Sequence, residues 1–260
     1  MTNHRPTTGL VGRVAIVTGA SRGIGAAVAR SFAEQGARLV LAARDSTRLE
    51  AVAEGIRRTG GEAIPVVTDV TDPASIEAAV QQAVIHFGRL DIAFNNAGAT
   101  HRPAPLADLT IGDFETAIAV NLVGVFLSMR SEIPAMLEVG RGAIVNMASA
   151  AGLGGVPGLA GYAAAKRGVI GLTQVAALDY GRRGIRVNAI APGPVWTERL
   201  DQLTEEQRAS IAGRLALDRL ATPEDVARLV LWLSSADAEF LTGAAIPIDG
   251  GLLAGAARLS

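Results

Sequence analysis

Short unbroken apolar runs alternate along this chain with longer stretches whose apolar residues recur every three or four positions. "RVAIVTGA" (13–20) is the first run, ending in Thr-Gly, and "IGAAVARSFAEQGA" (24–37) follows with helical spacing and a closing glycine. "RLVLAA" is the next strand candidate, and a helix is expected from about Ser46 to Gly60. "EAIPVVTDV", a helix opening at "DPASIEAAV", and "LDIAFNNAG" continue the alternation. A long helical stretch runs from about Ile111 to Leu137, and "GAIVNMAS" is a fifth buried strand. A helix then passes through Tyr162 and Lys166 to about Tyr180, followed by the strands "IRVNAIAPG" and "GAAIPIDGG". Strands that are apolar throughout, rather than at every second position, have both faces covered. That predicts an α/β, doubly wound fold with a seven-stranded, mostly parallel sheet and helices on both faces. No repeat, low-complexity tract or linker interrupts the pattern, so one domain is expected over 1–260, with residues 1–9 loosely held.

Composition narrows the class. In 260 residues, 49% are hydrophobic and 19% charged, enough apolar material for a large core. The net charge of −1 and the absence of any basic block speak against a nucleic-acid or membrane partner. With no cysteine, disulfides and thiolate metal sites are excluded. The opening "MTNHRPTTGL" lacks the apolar core of a signal peptide, and no apolar run approaches the length that spans a bilayer. A cytoplasmic protein is expected.

Three motifs carry chemistry. "TGASRGIG" (18–25) falls at a strand-to-helix junction, where glycines let the backbone turn sharply and approach a pyrophosphate favoured by the helix N–H groups. Tyr162 and Lys166 stand four apart on a helix, which makes their side chains neighbours. Lys166 is the only lysine; every other residue of this charge is arginine. A phenol acting as a base near neutrality needs its pKa lowered by roughly 3 units, or about 4 kcal/mol. An ammonium about 5 Å away supplies roughly 3 kcal/mol at an effective dielectric near 20. Lysine offers that charge as a compact point with three rotatable donors. On spacing alone, the pair is also an ordinary helix-surface contact. Ser149 closes a buried strand at the edge where parallel sheets bind ligands, though a serine there is commonly a turn or helix cap.

Together "TGASRGIG", "NNAG" (95–98), Asn121 in "NLVGVF", Ser149, "YAAAK", "PG" (192–193) and the closing "DGG" resemble the short-chain dehydrogenase/reductase family in its compact single-domain branch, with 3-oxoacyl-carrier-protein reductase-like and ketoreductase members. The resemblance covers Leu10 to Gly251 and implies a Rossmann-type fold binding a nicotinamide dinucleotide, with no metal. It implies that Tyr162 is the acid/base, that Ser149 hydrogen-bonds the same substrate oxygen, and that Lys166 lowers the tyrosine's pKa and binds the nicotinamide ribose. Asn121 would position a water for a proton relay. Thr18, Gly19, Ser21, Gly23, Ile24 and Gly25 match the phosphate turn, and Asp69 with Val70 the residues beside the adenine. Asn96, Ala97 and Gly98 match the segment along the adenosine half. Pro192, Gly193, Val195 and Thr197 match the nicotinamide anchor. Asn96 and Asn121 are also readable as backbone-bonding asparagines.

The second strand bears on the cofactor. In "LVLAARD" Ala43 stands where NAD-binding relatives carry an acid, Arg44 follows, and Arg22 adds a second cation inside the glycine turn. Two guanidiniums and no acid favour NADP(H) over NAD(H), with Asp45 serving as a helix cap. His101, Leu153, Val156 and Trp196 are the candidate substrate pocket. The expected reaction is reversible reduction of a ketone or 3-oxoacyl carbonyl to a secondary alcohol. NAD-dependent oxidation of a sugar or cyclic alcohol is an alternative, and a non-catalytic NADP(H)-binding sensor or scaffold is another. The family resemblance also implies a homotetramer through the helices around Asn121 and Tyr162.

Overall fold

Seven parallel strands form one sheet in the order β3-β2-β1-β4-β5-β6-β7 in a computed structural model that describes residues 9–255. They are β1 (Val14–Thr18), β2 (Arg38–Ala43), β3 (Glu62–Val67), β4 (Ile92–Asn95), β5 (Gly142–Met147), β6 (Ile185–Pro192) and β7 (Ala245–Ile248). The expected loose segment at 1–9 lies outside the described residues except for Gly9. Every residue of β1 is buried, and its side chains divide between the two faces: Ala15 and Val17 enter one core, Val14 and Ile16 the other. Continuous apolarity is thus the mark of a strand covered twice. Pro65 is tolerated because β3 is an edge strand with β2 as its single neighbour.

On the first face lie α1 (Gly23–Glu34), α2 (Ser46–Arg58) and α9 (Pro223–Ser234); on the second lie α3 (Pro73–Phe87), α5 (Gly124–Val139) and α7 (Ala160–Tyr180). Asp45 caps α2 by accepting Arg48 N–H at 3.0 Å, as expected of it. The long helical stretch is not one regular helix. It runs as α4 (Ile111–Ile118), a π-turn (Ala119–Val123) and α5, reaching two residues past the expected end. Residues 111–139 together are long and apolar enough to cross a bilayer by length and composition, contrary to the sequence expectation. Their buried face packs against α3, α7 and β5 instead. Two short helices complete the set, α6 (Ala150–Leu153) after β5 and α8 (Glu205–Ala212) between β6 and α9.

The chain runs outward from β1 in both directions, to β2 and β3 on one side and to β4 on the other. That reversal leaves a crevice at the carboxyl ends of the strands. At the opposite end of the sheet, Asp91 is 2% exposed and accepts from Val14 N–H (3.0 Å), Arg13 (3.0 Å) and Arg89 (2.6 and 2.8 Å). It ties β4 to β1 at the end of the sheet away from the crevice.

Candidate active site

The glycine turn owes its shape to close backbone approach. Gly19 and Gly23 have φ of 65° and 53°, and a Cβ on Gly25 would stand 2.3 Å from the Gly19 carbonyl oxygen. Thr18 Oγ1 accepts from Asn96 N–H (3.0 Å) and Ala97 N–H (3.1 Å), while Asn96 Nδ2 donates to the carbonyls of Thr18 (3.0 Å) and Gly19 (3.2 Å). The two motifs are thus stitched together across β1 and β4, and Asn96 is a backbone-bonding asparagine.

A cavity of about 660 Å³ opens over this crevice. Gly19, Ser21, Arg22, Gly23 and Ile24 form its floor beside α1; Arg44, Asp69 and Val70 line one end, and Asn96, Ala97 and Gly98 the middle. Asn121, Ser149, Tyr162, Lys166, Pro192, Gly193, Val195 and Thr197 line the other end. Thr18 and Gly25 lie behind this wall and shape it. Ala43 and Asp45, read from the sequence as the open acid position and a helix cap, also line it, as do Arg48, Thr68, Ala99, Val120, Met147, Ala148 and Glu198, which the sequence did not single out.

At the inner end, Ser149 caps α6: its Oγ accepts Ala151 N–H at 3.1 Å, which leaves the hydroxyl's own proton to donate into the cavity. Lys166 is 1% exposed, donates to the Met147 carbonyl at 2.7 Å, and places Nζ 5.6 Å from the Tyr162 ring centroid. Burial pushes its ammonium down to about 7. Asn121 sits in the π-turn, fully buried; Nδ2 donates to the Ala99 (2.7 Å) and Ala117 (2.9 Å) carbonyls, and Oδ1 accepts from Ala99 N–H (3.2 Å). A Cβ on Gly98 would lie 2.8 Å from Asn121 Oδ1 and 3.7 Å from Lys166 Nζ, so a glycine there keeps these groups together.

At the outer end, Ala43 closes β2 and Arg44 follows it into the cavity wall. The Asp45 carboxylate is committed to the α2 cap and to Arg48 (3.5 Å), which also pairs with Glu198 (3.1 Å) across the mouth. Asp69 binds Thr71 through its N–H (2.9 Å) and hydroxyl (2.8 Å); these bonds, with Arg44 nearby, hold its carboxyl below the usual range.

The four candidate substrate residues do not line the cavity. Leu153 packs against the core of the second face, and Val156 turns toward solvent. Trp196 lies under the Arg208 guanidinium, 4.5 Å from its ring centre, and His101 bonds the Arg102 carbonyl through Nδ1 at 2.9 Å.

A doubly wound parallel sheet with a glycine turn at its switch point is a dinucleotide-binding α/β architecture. A family model described as enoyl-(acyl carrier protein) reductase matches residues 19–253. The levodione reductase of Leifsonia aquatica is 39% identical over 256 residues, covering 95% of this chain and 96% of that protein. The 3-oxoacyl-(acyl-carrier-protein) reductase FabG of Thermotoga maritima is 39% identical over 244 residues, covering 94% and 99%. A crystal structure of levodione reductase superimposes with a TM-score of 0.91 at 38% identity, over 94% of this chain and 99% of that one. The chain belongs to the short-chain dehydrogenase/reductase family and is an oxidoreductase of CH–OH and C=O groups, a class that uses nicotinamide cofactors.

Proposed function

We propose that the protein reduces a ketone or 3-oxoacyl carbonyl to a secondary alcohol with NADPH, reversibly, using Tyr162 as acid/base. One observation carries this reading: Ser149, Tyr162 and Lys166 converge on the cavity that the glycine turn floors. The residues fit a dinucleotide: Gly19 and Gly25 pack so closely on Asn96 that a Cβ on either would stand 2.7 Å from its Nδ2, which leaves a turn of bare backbone beside the crevice. Gly19, Ser21, Gly23 and Ile24 would hold its diphosphate, Asp69 and Val70 its adenine, and Asn96 to Gly98 its adenosine half. Pro192 to Thr197 would hold the nicotinamide. When bound, the dinucleotide supplies the hydride.

The protein's own part is the proton. Tyr162 Oη gives its proton to the carbonyl oxygen, and the Ser149 hydroxyl donates to that oxygen and steadies its developing charge. The Lys166 ammonium beside the Tyr162 ring favours the phenolate, with two of its three donors available beyond the Met147 carbonyl. Asn121 fastens Ala99 to the π-turn and so shapes the wall beside Lys166, along which the proton is replaced from solvent.

NADPH is favoured over NADH by Arg22 and Arg44 on the cavity wall and by the Asp45 carboxylate, which is spent on the cap and Arg48. A second reading, NAD-dependent oxidation of a cyclic alcohol, draws on a further relative: the cyclohexanol dehydrogenase of an Acinetobacter strain, 41% identical over 238 residues. We place the protein in the cytoplasm as a homotetramer. Exposed Ile111, Phe114 and Phe126 on one helical run and Val175 and Leu178 on α7 support assembly through those helices. Initial rates with NADPH and NADH, against cyclic ketones and 3-oxoacyl thioesters, test the function. At least tenfold higher kcat/KM with NADPH is expected; a clear NADH preference would overturn the cofactor reading.

A further inference from the structure

Glu132 lies on α5 with none of its surface exposed. Its Oε2 accepts from Asn95 Nδ2 at 3.0 Å, whereas Oε1 has no partner among the described residues. Asn95, at the end of β4 and 1% exposed, has its own orphan, Oδ1. Both orphans are acceptors, and they belong to two groups already joined by one hydrogen bond. Leaving a buried acceptor without a donor is unfavourable, and leaving two beside each other doubly so. A single proton on Glu132 serves both.

The network continues from there. Asn95 Nδ2 also donates to Asn146 Oδ1 on β5 at 3.0 Å, and Asn146 Nδ2 donates to Thr173 Oγ1 on α7 at 3.0 Å. Thr173 closes the chain on the Val169 carbonyl at 2.8 Å. Asn146 directly precedes Met147, whose carbonyl receives the Lys166 ammonium.

We propose that Glu132 is a neutral carboxylic acid in the folded protein and a positioning residue, its Oε1 proton donated to Asn95 Oδ1 so that α5 is fastened to β4 and, through Asn146 and Thr173, to β5 and α7. Those elements carry Lys166 and Tyr162 and lead into Ser149. Complete burial pushes the Glu132 carboxyl up to about 8, and the Asn95 bond only partly opposes this. No cation among the described residues offsets it. Glu77 and His86 on α3, Arg130 and Glu138 on α5, and Arg167 and Asp179 on α7 are exposed. Lys166 is engaged with Met147, Asp91 before β4 with its arginines, and Arg186 on β6 with the Leu233, Ser235 and Leu241 carbonyls. The strands β4 and β5 and the π-turn contain no charged residue.

The test compares wild type, Glu132→Gln and Glu132→Leu by denaturant unfolding from pH 5 to 9, by the infrared carboxyl band, and by kcat for ketone reduction. Glutamine supplies an N–H to Asn95 Oδ1 but has no acidic proton. The folded carboxyl keeps its proton to higher pH than the unfolded one. Its stabilisation is therefore complete below the unfolded carboxylate range and is lost as pH rises toward about 8. Relative to the Gln variant, the wild-type unfolding constant should rise about tenfold per pH unit between roughly pH 5 and 8, then level. Wild type with heavy-carbon glutamate carboxyls should show a protonated-acid band at pH 7. Parallel pH profiles for wild type and Gln, or a carboxylate band alone, would overturn the proposal. In kinetics, Gln should retain kcat while Leu loses tenfold or more, or fails to fold where Gln folds; wild-type kcat in the Leu variant would overturn the fastening role. The kinetic arm rests on the proposed reaction. The unfolding and infrared arms do not, so the two can fail separately.

Discussion

Replacing Lys166 by methionine is expected to act in opposite directions on catalysis and on stability, and the structure sets the size of each. The ammonium lies 5.6 Å from the Tyr162 ring centroid. At an effective dielectric near 20 that is about 3 kcal/mol of stabilisation for a phenolate, or about two pKa units. In the alcohol-oxidation direction the tyrosine must accept a proton, so the acidic limb of the pH–rate profile should move about two units to higher pH in Lys166→Met. At or below pH 7, where the ammonium is charged, the rate would fall by up to about 100-fold. Burial, meanwhile, pulls the ammonium from 10.5 to about 7. That corresponds to roughly 5 kcal/mol of destabilisation in acid to neutral solution, which methionine removes. The Met147 carbonyl would lose its 2.7 Å donor, which costs about 1–3 kcal/mol. Burial wins, and the variant should be more stable by about 2–4 kcal/mol below pH 7. Because the folded pKa lies below the unfolded one, wild type recovers stability as pH rises from about 7 to 10.5, and the variant's advantage fades there. Denaturant unfolding at several pH values and a pH–rate profile measure both effects. An acidic limb that stays in place would refute the electrostatic role of Lys166; a variant less stable than wild type at pH 6 would refute the burial term.

Gly25→Ala would place a methyl 2.3 Å from the Gly19 carbonyl oxygen and 2.7 Å from Asn96 Nδ2. It should destabilise by about 1–3 kcal/mol and abolish NADPH binding by fluorescence titration; normal binding would show that the turn is not the cradle. Arg44→Ala should raise KM for NADPH by about 10–100-fold while leaving NADH unchanged, as loss of a charge-assisted contact would; equal effects on both would remove Arg44 from cofactor selection. Burial raises the Asp91 carboxyl, but its bonds from Arg89, Val14 and Arg13 outweigh that and hold it below the usual carboxylate range. Its contribution is therefore present near neutrality and lost in acid. Asp91→Asn should cost about 3–5 kcal/mol at pH 7 and flatten the acid limb of the stability profile, with an unchanged profile contradicting the clamp.

Much of this architecture was legible because strand and helix periods are local. Continuous apolarity in "VAIVT" and "AIVNM" pointed to strands covered on both faces, and the sheet buries all of those residues. The glycine turn was legible because positive φ and close approach leave few other residues possible at Gly19, Gly23 and Gly25. The Tyr162–Lys166 neighbourhood followed from helix geometry, but the Lys166 burial that depresses its ammonium depends on Met147 and Gly98, far away in sequence. Glu132 was missed for the same reason. A lone carboxylate in the apolar stretch "SEIPAM" was the available signal, but its meaning appears only when β4 brings Asn95 beside it. Substrate residues are the least legible: Arg208 from α8 stands over Trp196, a pairing no local pattern encodes.

The most direct test of the proposed chemistry is the rate of NADPH-dependent ketone reduction by Tyr162→Phe beside wild type, with NADPH affinity measured in parallel. A fall of about 10²–10⁴-fold with unchanged NADPH affinity is predicted, the size expected for loss of a positioned general acid. A Phe variant that keeps the wild-type rate would contradict Tyr162 as the proton donor, and with it the reading of the whole site.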